Sequence, residues 1–539
     1  MPGLPQNQLP SGPWLRRDVR AAPVAVWAAL VLHLLLLLTY TTLQPAYRGL
    51  DEAAHIDMVL TVANPFAWPG PGDKDISADT AATYDEAGHD GLPFARLARD
   101  DAQQPKGDRP AFGQAGQNLR PAETNQMVQH PPLYYLVVAA GDALVPGADD
   151  WPYDRRIALL RLLSLLMVAP LPLLCWLGAR RLGAGTTTGA VAAFIPLTMP
   201  SVQRVGSSVS NDALLVVLIG AVNVLAIVVA GGDLRRRTAV ALGLLSAAAI
   251  LTKGTALILP FVVVLAYAVA AYRRRALGPV LIPGLITTVL IGGLSGWWYV
   301  RNLLLHGAVQ PNGYAGGVLP YPKQQGGGVG EWGPDYVRAM LFRFWSALGQ
   351  PEPPGLPNGL ATGLTLTLLA LVVVALAVTA GRRLLVAVAL LPFAGTLALV
   401  ALGSYVNYQA YDRFIGVQGR YLYPALVGLA VAAAVALSRL LGPARRILPL
   451  LVLGLAALVQ YLAAEALLET YWTTPEALAE GFVSLEAWSP LPSVVVRALW
   501  VATVLAGAAT AAAAARLLLT ALPPAKEPAR PQPLEDARV

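Results

Sequence analysis

The sequence predicts an all-α polytopic membrane protein, and three observations support this fold class. Of the 539 residues, 55% are hydrophobic and only 13% are charged, whereas soluble globular domains carry roughly 25% charged residues. Apolar runs recur along the whole chain, and about 20 consecutive apolar residues cross a hydrocarbon core as a helix. Arginine and lysine gather in short clusters between these runs, which is typical of cytoplasmic loops. A soluble enzyme is thereby excluded.

The apolar runs are expected to be helices, because the lipid interior offers the backbone of an open chain no other way to pair its polar groups. The first run is too long for the core of a signal peptide and lacks a small-residue cleavage site, so we expect it to stay as an uncleaved helix. The runs cover residues 24–43, 131–146, 157–179, 185–201, 209–230, 238–252, 254–271, 277–299, 359–380, 384–403, 421–441, 446–467 and 494–517.

Clusters of positive charge predict which helix ends face the cytoplasm. Both termini are then cytoplasmic, which requires an even number of crossings, although the apolar runs are odd in number. The shortest run before the second cluster, 131–146, opens with two prolines. We expect it to form a short re-entrant or juxtamembrane helix, which leaves about 12 transmembrane helices. The clusters are Arg16–Arg17, Arg180–Arg181, Arg235–Arg237, Arg273–Arg275, Arg382–Arg383, Arg445–Arg446, and Arg516 with Lys526.

Two polar segments on the predicted outer side are too long to be simple connections. The first extracytoplasmic loop, residues 44–130, is acidic, and the second, residues 301–358, is rich in Gly and Pro. Long loops in compact proteins are usually functional or disordered. The predicted organisation is a disordered cytoplasmic N-terminus (1–20), a transmembrane module (21–470), an outer loop with the last helix (471–520) and a disordered cytoplasmic tail (521–539).

The basic excess of the chain is interpreted as membrane topology. The net charge is +7 and the isoelectric point is near 9.4, but the arginines fall between apolar runs, so a nucleic-acid partner is excluded. Cys175 is the one cysteine of the sequence, and it lies inside an apolar run. An intramolecular disulfide or a multi-cysteine metal site is therefore impossible.

A group of chemically capable side chains follows the first predicted helix, in the stretch YRGLDEAAHIDMVLTVA. Asp51 and His55 are four residues apart and Glu52 and His55 are three apart, so on a helix the three share a face. A carboxylate there could take a proton from an attacking hydroxyl. The alternative is a purely structural role, because acidic residues in the first turn of a helix are solvated and interact favourably with its positive end.

Two further motifs lie at predicted outer helix ends, and each has two interpretations. In NQMVQHPPLYY, His130 precedes a helix N-terminus that could face an anion, while Tyr134 and Tyr135 suit an interfacial aromatic belt, which the spacing favours. In SNDALL, Asn211 and Asp212 begin an apolar run. An ionisable group at such a position is a functional candidate, and the alternative is a helix cap.

Four cations lie on the predicted outer side, where the positive-inside pattern disfavours them. They are Arg204, Lys253, Arg301 and Arg420. Arginine binds phosphate oxygens with two parallel hydrogen bonds and stacks on aromatic rings, and both Arg301 and Arg420 have aromatic neighbours in the sequence. For Arg301 and Arg420 taken singly, anchoring of a snorkelling side chain at the interface is favoured. For Lys253 the alternative to a substrate phosphate is the phosphate of a lipid headgroup. The concentration of the four cations on the face that carries Asp51 favours a site for an anion.

Several motifs occur in a fixed order: the DE pair after the first helix, HPPLYY, SNDALL, LTKGT, WWYVRN and QGRYLYPAL. Over residues 24–425 the chain thereby resembles the bacterial GT-C superfamily of integral-membrane glycosyltransferases. The resemblance is closest to a branch of predicted membrane proteins with a DE-x-x-H loop motif. It is more distant to protein O-mannosyltransferases and lipid A aminoarabinose transferases. One departure is Leu50, where many relatives have proline before the DE pair.

The resemblance implies a GT-C-like helix bundle and a reaction. A sugar would move, with inversion, from a polyprenyl-phosphate-linked donor to an envelope glycan, lipid or protein acceptor outside the bacterial plasma membrane. Asp51 would be the catalytic base, with Glu52 as its substitute. Membrane lipids would be further partners, and the sequence has no Gly-rich phosphate loop of the nucleotide-binding kind. The predicted substrate-binding residues are His55, His130, Arg204, Asn211, Asp212, Lys253, Arg301, Gln418 and Arg420.

Metal dependence and the class of function both stay open. Asp51, Glu52, His55 and His130 could ligate a divalent metal, but the surplus of cations can neutralise a phosphate without one, so no cofactor is expected. A transporter or flippase of lipid-linked or anionic envelope precursors would explain Asp212 and the cations, but not the long first loop. A non-catalytic scaffold is the third possibility, and it predicts that changing Asp51 alters no product.

Overall fold

The computed structural model describes residues 14–61, 67–87, 106–116, 122–346, 355–472 and 478–520. Within these ranges the secondary structure is helical, with two isolated bridges, Asp75 to Thr124 and Ala111 to Pro152, and no strand. The all-α fold class is therefore confirmed for the described residues. The predicted disordered tail, 521–539, lies outside them.

The α-helices follow the apolar runs and add short helices in the polar segments. The helices up to residue 230 are α1 (Trp14–Arg20), α2 (Val24–Leu43), α3 (Glu52–Thr61), α4 (Ala78–Glu86), α5 (Leu133–Ala143), α6 (Tyr153–Val168), α7 (Leu171–Arg181), α8 (Thr186–Phe194), α9 (Pro200–Gly206) and α10 (Asn211–Ala230). The later helices are α11 (Arg236–Ile250), α12 (Leu259–Arg274), α13 (Gly278–His306), α14 (Val329–Ser346), α15 (Asn358–Val378), α16 (Arg383–Tyr411), α17 (Leu426–Leu440), α18 (Leu448–Tyr471), α19 (Leu478–Trp488) and α20 (Ser493–Thr520).

By length and apolar composition, 10 helical segments of the described chain can cross a membrane. Each of them coincides with a predicted run, so the chain is a multi-pass membrane protein. The segments are Val24–Leu43, Tyr153–Arg181, Asn211–Ala230, Gly254–Arg274, Gly278–His306, Asn358–Val378, Ala380–Tyr411, Gly419–Leu440, Gly442–Tyr471 and Ser493–Leu519.

Helix α11 also connects the two ends of the bundle, although it has only 15 residues. It packs beside α10 and begins at Arg236, shortly after α10 ends. Just after α11, Lys253 forms an ion pair with Asp212 at the start of α10 (Nζ–Oδ1 2.6 Å). Because α11 returns to the point where α10 begins, it crosses the same thickness. We call this side of the bundle the Asp212 end.

The segment from α8 to α9 crosses the bundle in three pieces, with a 3-10 helix, Ile195–Thr198, in the middle. At its beginning the hydroxyls of Thr188 and Ser438 are hydrogen-bonded (2.9 Å), near the end of α17. At its other end Arg204 donates from Nε to Oε1 of Gln44, which follows α2 (3.1 Å). We call the side where α17 ends the Ser438 end. This segment and α11 are two crossings in addition to the 10 longer segments. The described residues therefore contain the 12 crossings that the sequence predicts.

Helix α5 starts and finishes on one side of the bundle. The N–H of Leu133 donates to the carbonyl of Leu251 (3.1 Å), and Asp142 pairs with Arg156 at the beginning of α6 (2.6 Å). Both contacts lie at the Asp212 end. An 11-residue helix rises about 17 Å, well short of a hydrocarbon core of about 30 Å. This matches the prediction for the run 131–146.

The prediction of disorder over residues 1–20 is wrong for residues 14–20, because these form α1. Asp18 is buried and pairs with Arg181 at the end of α7. The carbonyl of Asp18 also accepts from Nε1 of Trp176 (3.0 Å). These long-range contacts stabilise a seven-residue helix that its own sequence could not hold. Residues 1–13 lie outside the described part of the chain.

A buried carboxylate ties the first outer loop to α3. Asp57 accepts from the backbone N–H of Ser77 (2.9 Å) and from Nδ2 of Asn125 (2.7 Å). Lys74 completes the arrangement with an ion pair to Asp57 (2.9 Å). Because every one of these groups is buried or half-buried and paired, the cost of removing the charge from water is offset. Helix α3 is thereby held above the bundle, with its N-terminus at the Asp212 end.

Candidate functional site

Asp51 immediately precedes α3 and has a φ of 58°. This left-handed conformation costs a non-glycine residue about 1–2 kcal/mol, and Tyr47 nearby has a φ of 63°. The carbonyl of Asp51 accepts the N–H of His55 (3.1 Å) and so starts the helix. Strained backbone of this kind persists where the surroundings hold it, and it is concentrated at functional sites.

Arg420 holds one oxygen of the Asp51 carboxylate. The distance from Nη2 of Arg420 to Oδ2 of Asp51 is 2.5 Å, and Nη1 of Arg420 donates to the carbonyl of Leu50 (3.4 Å). The Arg420 side chain is 4% exposed, whereas that of Asp51 is 21% exposed. The other oxygen of Asp51, Oδ1, has no hydrogen-bond partner among the described residues. One oxygen is therefore fixed and the second can accept a proton.

A close backbone approach fixes the position of Arg420. The residue lies in the 3-10 helix Gly419–Ala425, directly before α17. A Cβ on Gly419 would lie 2.3 Å from the carbonyl oxygen of Arg343 and 2.6 Å from Cα of Phe344. Only glycine therefore allows this turn to pack against α14. Because this turn has no room to shift, the position of the Arg420 guanidinium is fixed.

Asp212 and Lys253 form a second ion pair beside the first. Their side chains are almost fully buried, and Nζ of Lys253 lies 2.6 Å from Oδ1 of Asp212. Nε of Arg420 lies 3.7 Å from Oδ2 of Asp212. The helix cap is Ser210, whose hydroxyl accepts from the N–H of Asp212 (3.3 Å). Because Ser210 caps α10, the Asp212 carboxylate is left for the cations.

Two of the four charged groups, Lys253 and Arg420, contact the same aromatic ring, and the four form a balanced set. Nζ of Lys253 lies 5.0 Å from the ring centroid of Tyr421, and Cζ of Arg420 lies 5.5 Å from it. Both distances suit a cation–π contact. We call Asp51, Asp212, Lys253 and Arg420 the charge cluster. Its two negative and two positive charges compensate each other, which buried charges require.

Glu52 makes a different set of contacts from its neighbour Asp51. Its side chain is buried and pairs with both nitrogens of the Arg161 fork, Nε to Oε1 at 2.8 Å and Nη2 to Oε2 at 2.6 Å. The backbone N–H groups of Val209 and Gly49 donate to the same two oxygens, each at 3.0 Å. Each oxygen therefore already accepts two hydrogen bonds. This geometry favours a structural role that ties α3 to α6 and α10.

His55 and His130 lie next to the charge cluster with parallel rings, whose centroids are 6.3 Å apart. Nδ1 of His55 is hydrogen-bonded to the hydroxyl of Tyr135 (3.0 Å). Burial, reinforced by Lys253 and Arg420, lowers the pKa of His55 to about 3. Burial also lowers the pKa of His130 well below its usual value. Both rings are therefore neutral at physiological pH.

The aromatic-belt interpretation of the HPPLYY motif is wrong. Tyr134 and Tyr135 are both fully buried and so do not face the lipid interface. The hydroxyl of Tyr134 is hydrogen-bonded to that of Ser164 in α6 (2.8 Å), and Tyr135 bonds to His55. The motif instead forms the aromatic wall behind the charge cluster.

The buried state of His55 predicts a pH dependence of stability. Unfolded histidine has a pKa near 6.5, so between pH 6.5 and about 3 the unfolded state binds more protons than the folded state. The contribution of neutral His55 to the free energy of unfolding is therefore fully present above pH 6.5. It is lost as the pH falls through this window, by up to about 1.4 kcal/mol per pH unit for one group. His55→Gln is expected to flatten the fall of the melting temperature between pH 6.5 and 4.5. An unchanged slope would contradict this assignment.

Arg204 and Asn211 bring spare hydrogen-bonding groups to the site. Arg204 donates from Nη2 to the carbonyl of Arg48, but its Nη1 has no partner among the described residues. Asn211 is fully buried, and neither its Nδ2 nor its Oδ1 has a partner there. Together with Leu50, Arg204 and Arg420 also border a narrow gap that has no room for a water molecule. Buried polar groups without partners are costly, so these atoms are candidates to contact a substrate.

The structure does not bring Arg301 and Gln418 into the charge cluster. Arg301 donates to the carbonyl of Trp68 (2.6 Å) and lies over the ring of Trp298 (5.4 Å). Among the described residues it has no hydrogen bond or ion pair with any member of the cluster. Gln418 is half-buried, and its backbone carbonyl accepts from Tyr421 (3.3 Å). Their roles in binding stay predictions.

The candidate metal ligands do not converge on one point. Glu52 is engaged by Arg161, His55 by Tyr135, and Asp51 by Arg420. Within the described ranges, no group of three or more His, Cys, Asp or Glu side chains could hold a metal ion. The two carboxylates of this set are instead each paired with a different arginine.

Arg161 is the residue of this region that sequence reasoning missed. It lies inside the predicted run 157–179, and an ionisable group in such a run is by default a functional or pairing residue. That signal was sufficient to single it out. Its partner Glu52 could not have been named, because the two are 109 positions apart.

The solved structures to which the chain is similar include those of two proteins. One is ArnT from Cupriavidus metallidurans in the apo state, with a TM-score of 0.44 and 16% identity, over 94% of this chain and 75% of that chain. In its structure bound to undecaprenyl phosphate the TM-score is 0.41 and the identity 17%, over 95% and 78%. The other is the apo oligosaccharyltransferase of Archaeoglobus fulgidus, with a TM-score of 0.39 and 13% identity, over 90% and 56%.

Sequence comparison points to one family. Among curated proteins, none matches this sequence significantly. A family model described as "Predicted membrane protein (DUF2142)" matches residues 34–429. The matched range covers well over half of the chain and includes all members of the charge cluster. The chain therefore belongs to the DUF2142 family of predicted membrane proteins.

Proposed function

We propose that this protein is a membrane glycosyltransferase of the GT-C type, which moves a sugar from a polyprenyl-phosphate donor to a cell-envelope acceptor. The observation that carries the proposal is the state of Asp51. One oxygen is held by Arg420 at 2.5 Å, the other has no partner among the described residues, and the side chain is the most exposed part of an otherwise buried cluster. A carboxylate in this state can act as a general base for an attacking hydroxyl.

The place of the charge cluster favours a lipid-linked donor. Asp212 lies in the first turn of α10, and Arg420 lies just before α17, so the cluster is at the ends of apolar helices. A polyprenyl tail would lie in the hydrocarbon layer beside such helices, and its phosphate would lie at the level of the helix ends. The N-terminus of α10 adds a partial positive charge at this level.

The proposed reaction is a single displacement. The acceptor hydroxyl attacks the anomeric carbon, a new carbon–oxygen bond forms, and the bond from that carbon to the donor phosphate breaks. The electron pair of the broken bond leaves with the polyprenyl phosphate, and the hydroxyl proton goes to Oδ1 of Asp51. One displacement inverts the anomeric configuration. Lys253 and Arg420 stabilise the charge that builds up on the departing phosphate.

Supporting residues surround this step. Nη1 of Arg204 and Nδ2 of Asn211 are donors without partners among the described residues, and they suit the phosphate or the sugar hydroxyls. Nδ1 of His130 also lacks a partner there, and the neutral ring can exchange hydrogen bonds without adding charge. Arg301 and Gln418 are proposed to contact more distant parts of the substrates.

We further propose that the Asp212 end faces the outside of the bacterial plasma membrane and that both termini are cytoplasmic. Arg420 and Arg439 lie at opposite ends of the segment Gly419–Leu440. The basic clusters that mark cytoplasmic ends, such as Arg382–Arg383 and Arg445–Arg446, lie beside Arg439 at the Ser438 end. This arrangement agrees with the positive-inside pattern.

The function is tested by incubating the purified full-length protein with labelled polyprenyl-phosphate sugars and bacterial envelope fractions. Release of polyprenyl phosphate together with a labelled product is expected. The reaction is proposed to need no metal, so a chelator should leave it unchanged. Activity that is lost in chelator and restored by magnesium or manganese would contradict metal independence. Movement of the intact donor across a vesicle bilayer, with no carrier released, would contradict the enzyme and favour a transporter.

Lys253→Gln and Arg301→Gln separate the cations inside and outside the cluster. Lys253→Gln removes a buried cation that is proposed to stabilise the departing phosphate. We expect kcat to fall by about 10²–10³-fold, which is the usual effect of removing one hydrogen-bond donor that stabilises charge in a transition state. Arg301→Gln is the matched control, because it also removes one outer cation. Since Arg301 does not contact the charge cluster, this variant should mainly raise KM. Steady-state kinetics with varied donor measure both. Equal losses of kcat in the two variants would contradict the proposed division.

A further inference from the structure

A large cavity lies at the Ser438 end of the bundle, far from the charge cluster. Its volume is about 740 Å³, and it is bounded by the turn after α7, the start of α8, the end of α15 and the end of α17. Arg439 lines it, whereas Arg420 lies 19 positions earlier on the same span. This separation corresponds to about 30 Å along the helix axis, so the cavity is a separate site.

Positive charge dominates the lining of this cavity. Arg382 lies between α15 and α16, Arg439 lies in the last turn of α17, and Arg445 lies in the connection that follows α17. No acidic residue lines the cavity among the described residues. Arg382 donates to the carbonyls of Leu182 and Gly183 (2.7 and 2.9 Å). The guanidinium of Arg439 has no ion pair or hydrogen bond in the described part of the chain and is exposed. The cavity therefore holds cationic charge that no residue of the described part of the chain neutralises.

The N-terminus of α8 adds hydrogen-bond donors to the same cavity. The N-cap residue, Gly185, offers no side chain to the first turn, and residues 186–188, all threonines, line the cavity. The first N–H groups of a helix have no partner within it and are suited to anions. Gly183 has a φ of 84°, and a Cβ there would lie 2.2 Å from Nη1 of Arg382. Glycine thus lets the turn close onto the arginine that borders the cavity.

We propose that this cavity binds the phosphate group of an anionic phospholipid headgroup at the membrane face opposite the charge cluster. The free guanidinium of Arg439, the side chain of Arg445 and the N-terminal turn of α8 supply charge and donors for the phosphate. The lining also includes Leu182, Val378 and Val435, each next to or within an apolar span. Of these, the exposed Val378 and the half-buried Val435 give a lipid, but not a free anion, an apolar surface for its acyl chains. Anionic lipids are enriched in the cytoplasmic leaflet, which this face is expected to meet.

The test compares two double variants of the full-length protein in lipid nanodiscs. R439Q/R445Q removes two cations that line the cavity, and R383Q/R446Q removes the two neighbouring cations that do not. Each protein is released from bilayers of phosphatidylcholine with a minor fraction of phosphatidylglycerol, and the retained lipid is counted by native mass spectrometry. The wild type is expected to retain phosphatidylglycerol in preference to phosphatidylcholine. R439Q/R445Q should lower this retention about tenfold or more, and R383Q/R446Q should not.

Three outcomes would overturn the proposal. Equal retention in the wild type and R439Q/R445Q would remove the site. Equal losses in the two double variants would reduce the effect to general surface charge. Full displacement of the retained lipid by millimolar inorganic phosphate would assign the cavity to a free anion. Melting temperatures in pure phosphatidylcholine, expected to agree for all three proteins, show that folding is not the cause. None of these readouts depends on sugar transfer, so they stand apart from the test of the proposed function.

Discussion

Asp51→Asn is expected to lower the rate of sugar transfer by about 10²–10⁴-fold, which is the usual contribution of a positioned general base. The amide oxygen of asparagine can still accept from Arg420, which holds Asp51 at 2.5 Å. Asparagine also tolerates a left-handed backbone, so the φ of 58° at this position can be kept. The variant therefore removes the proton acceptor and little else.

The same variant is expected to lower the free energy of unfolding by less than the loss of about 3–5 kcal/mol that follows when one partner of a fully buried ion pair is removed. Asp51 is partly exposed, and Arg420 keeps Asp212 at 3.7 Å. Asp412→Asn is the matched control, because Asp412 is an exposed aspartate with a φ of 51° outside the charge cluster. Release of polyprenyl phosphate and thermal unfolding are measured side by side for both variants.

Full activity of a folded Asp51→Asn protein would contradict this assignment and move the proton acceptor to Asp212. Asp212 is the other carboxylate of the charge cluster, and its Oδ2 lies 3.7 Å from Arg420. Glu52 is a weaker substitute than its position in the DE pair predicts. Both of its oxygens are occupied, by the Arg161 fork and by two backbone N–H groups.

The crossings could be predicted from the sequence because each depends on local properties. A helix in lipid satisfies its own backbone groups, so length and apolar composition decide whether a segment crosses. The run 131–146 could be distinguished from the full crossings in the same way. It opens with two prolines, and the charge clusters require an even number of crossings. The disorder predicted for residues 14–20 failed because α1 depends on Asp18 and its distant partners Trp176 and Arg181.

The partners within the site could not be predicted in the same way. Asp51 and Arg420 are 369 positions apart, and no pattern along the chain joins them. Arg301 and Arg420 look alike in sequence, since each lies at an outer helix end beside aromatic residues. The structure separates them because the turn at Gly419 packs against α14 and aims Arg420 at Asp51, while Arg301 bonds to a backbone carbonyl.

Glu52→Gln is expected to lower the free energy of unfolding by about 3–5 kcal/mol, the usual cost of removing one partner of a buried ion pair. Glu52 and Arg161 are both nearly inaccessible and meet through two parallel hydrogen bonds. Glutamine keeps the shape of the side chain but leaves the guanidinium without a counter-charge. Urea or thermal unfolding in detergent measures the loss. Asp335→Asn, which removes one partner of an exposed pair with Arg338 (3.1 Å), is the control and should change little.

The double variant Glu52→Gln with Arg161→Gln separates a structural pair from a catalytic one. If the pair serves the fold, removing both charges leaves no isolated buried charge, so the double variant should be more stable than the sum of the two single losses predicts. Its folded fraction should then transfer sugar at a rate close to that of the wild type, because Asp51 and Arg420 are untouched. A double variant that is stable but inactive would instead place Glu52 in the chemistry. Asp51 and Glu52 of the DE motif would then both take part in catalysis. In the arrangement that we propose, Glu52 stabilises the fold and Asp51 alone accepts the proton.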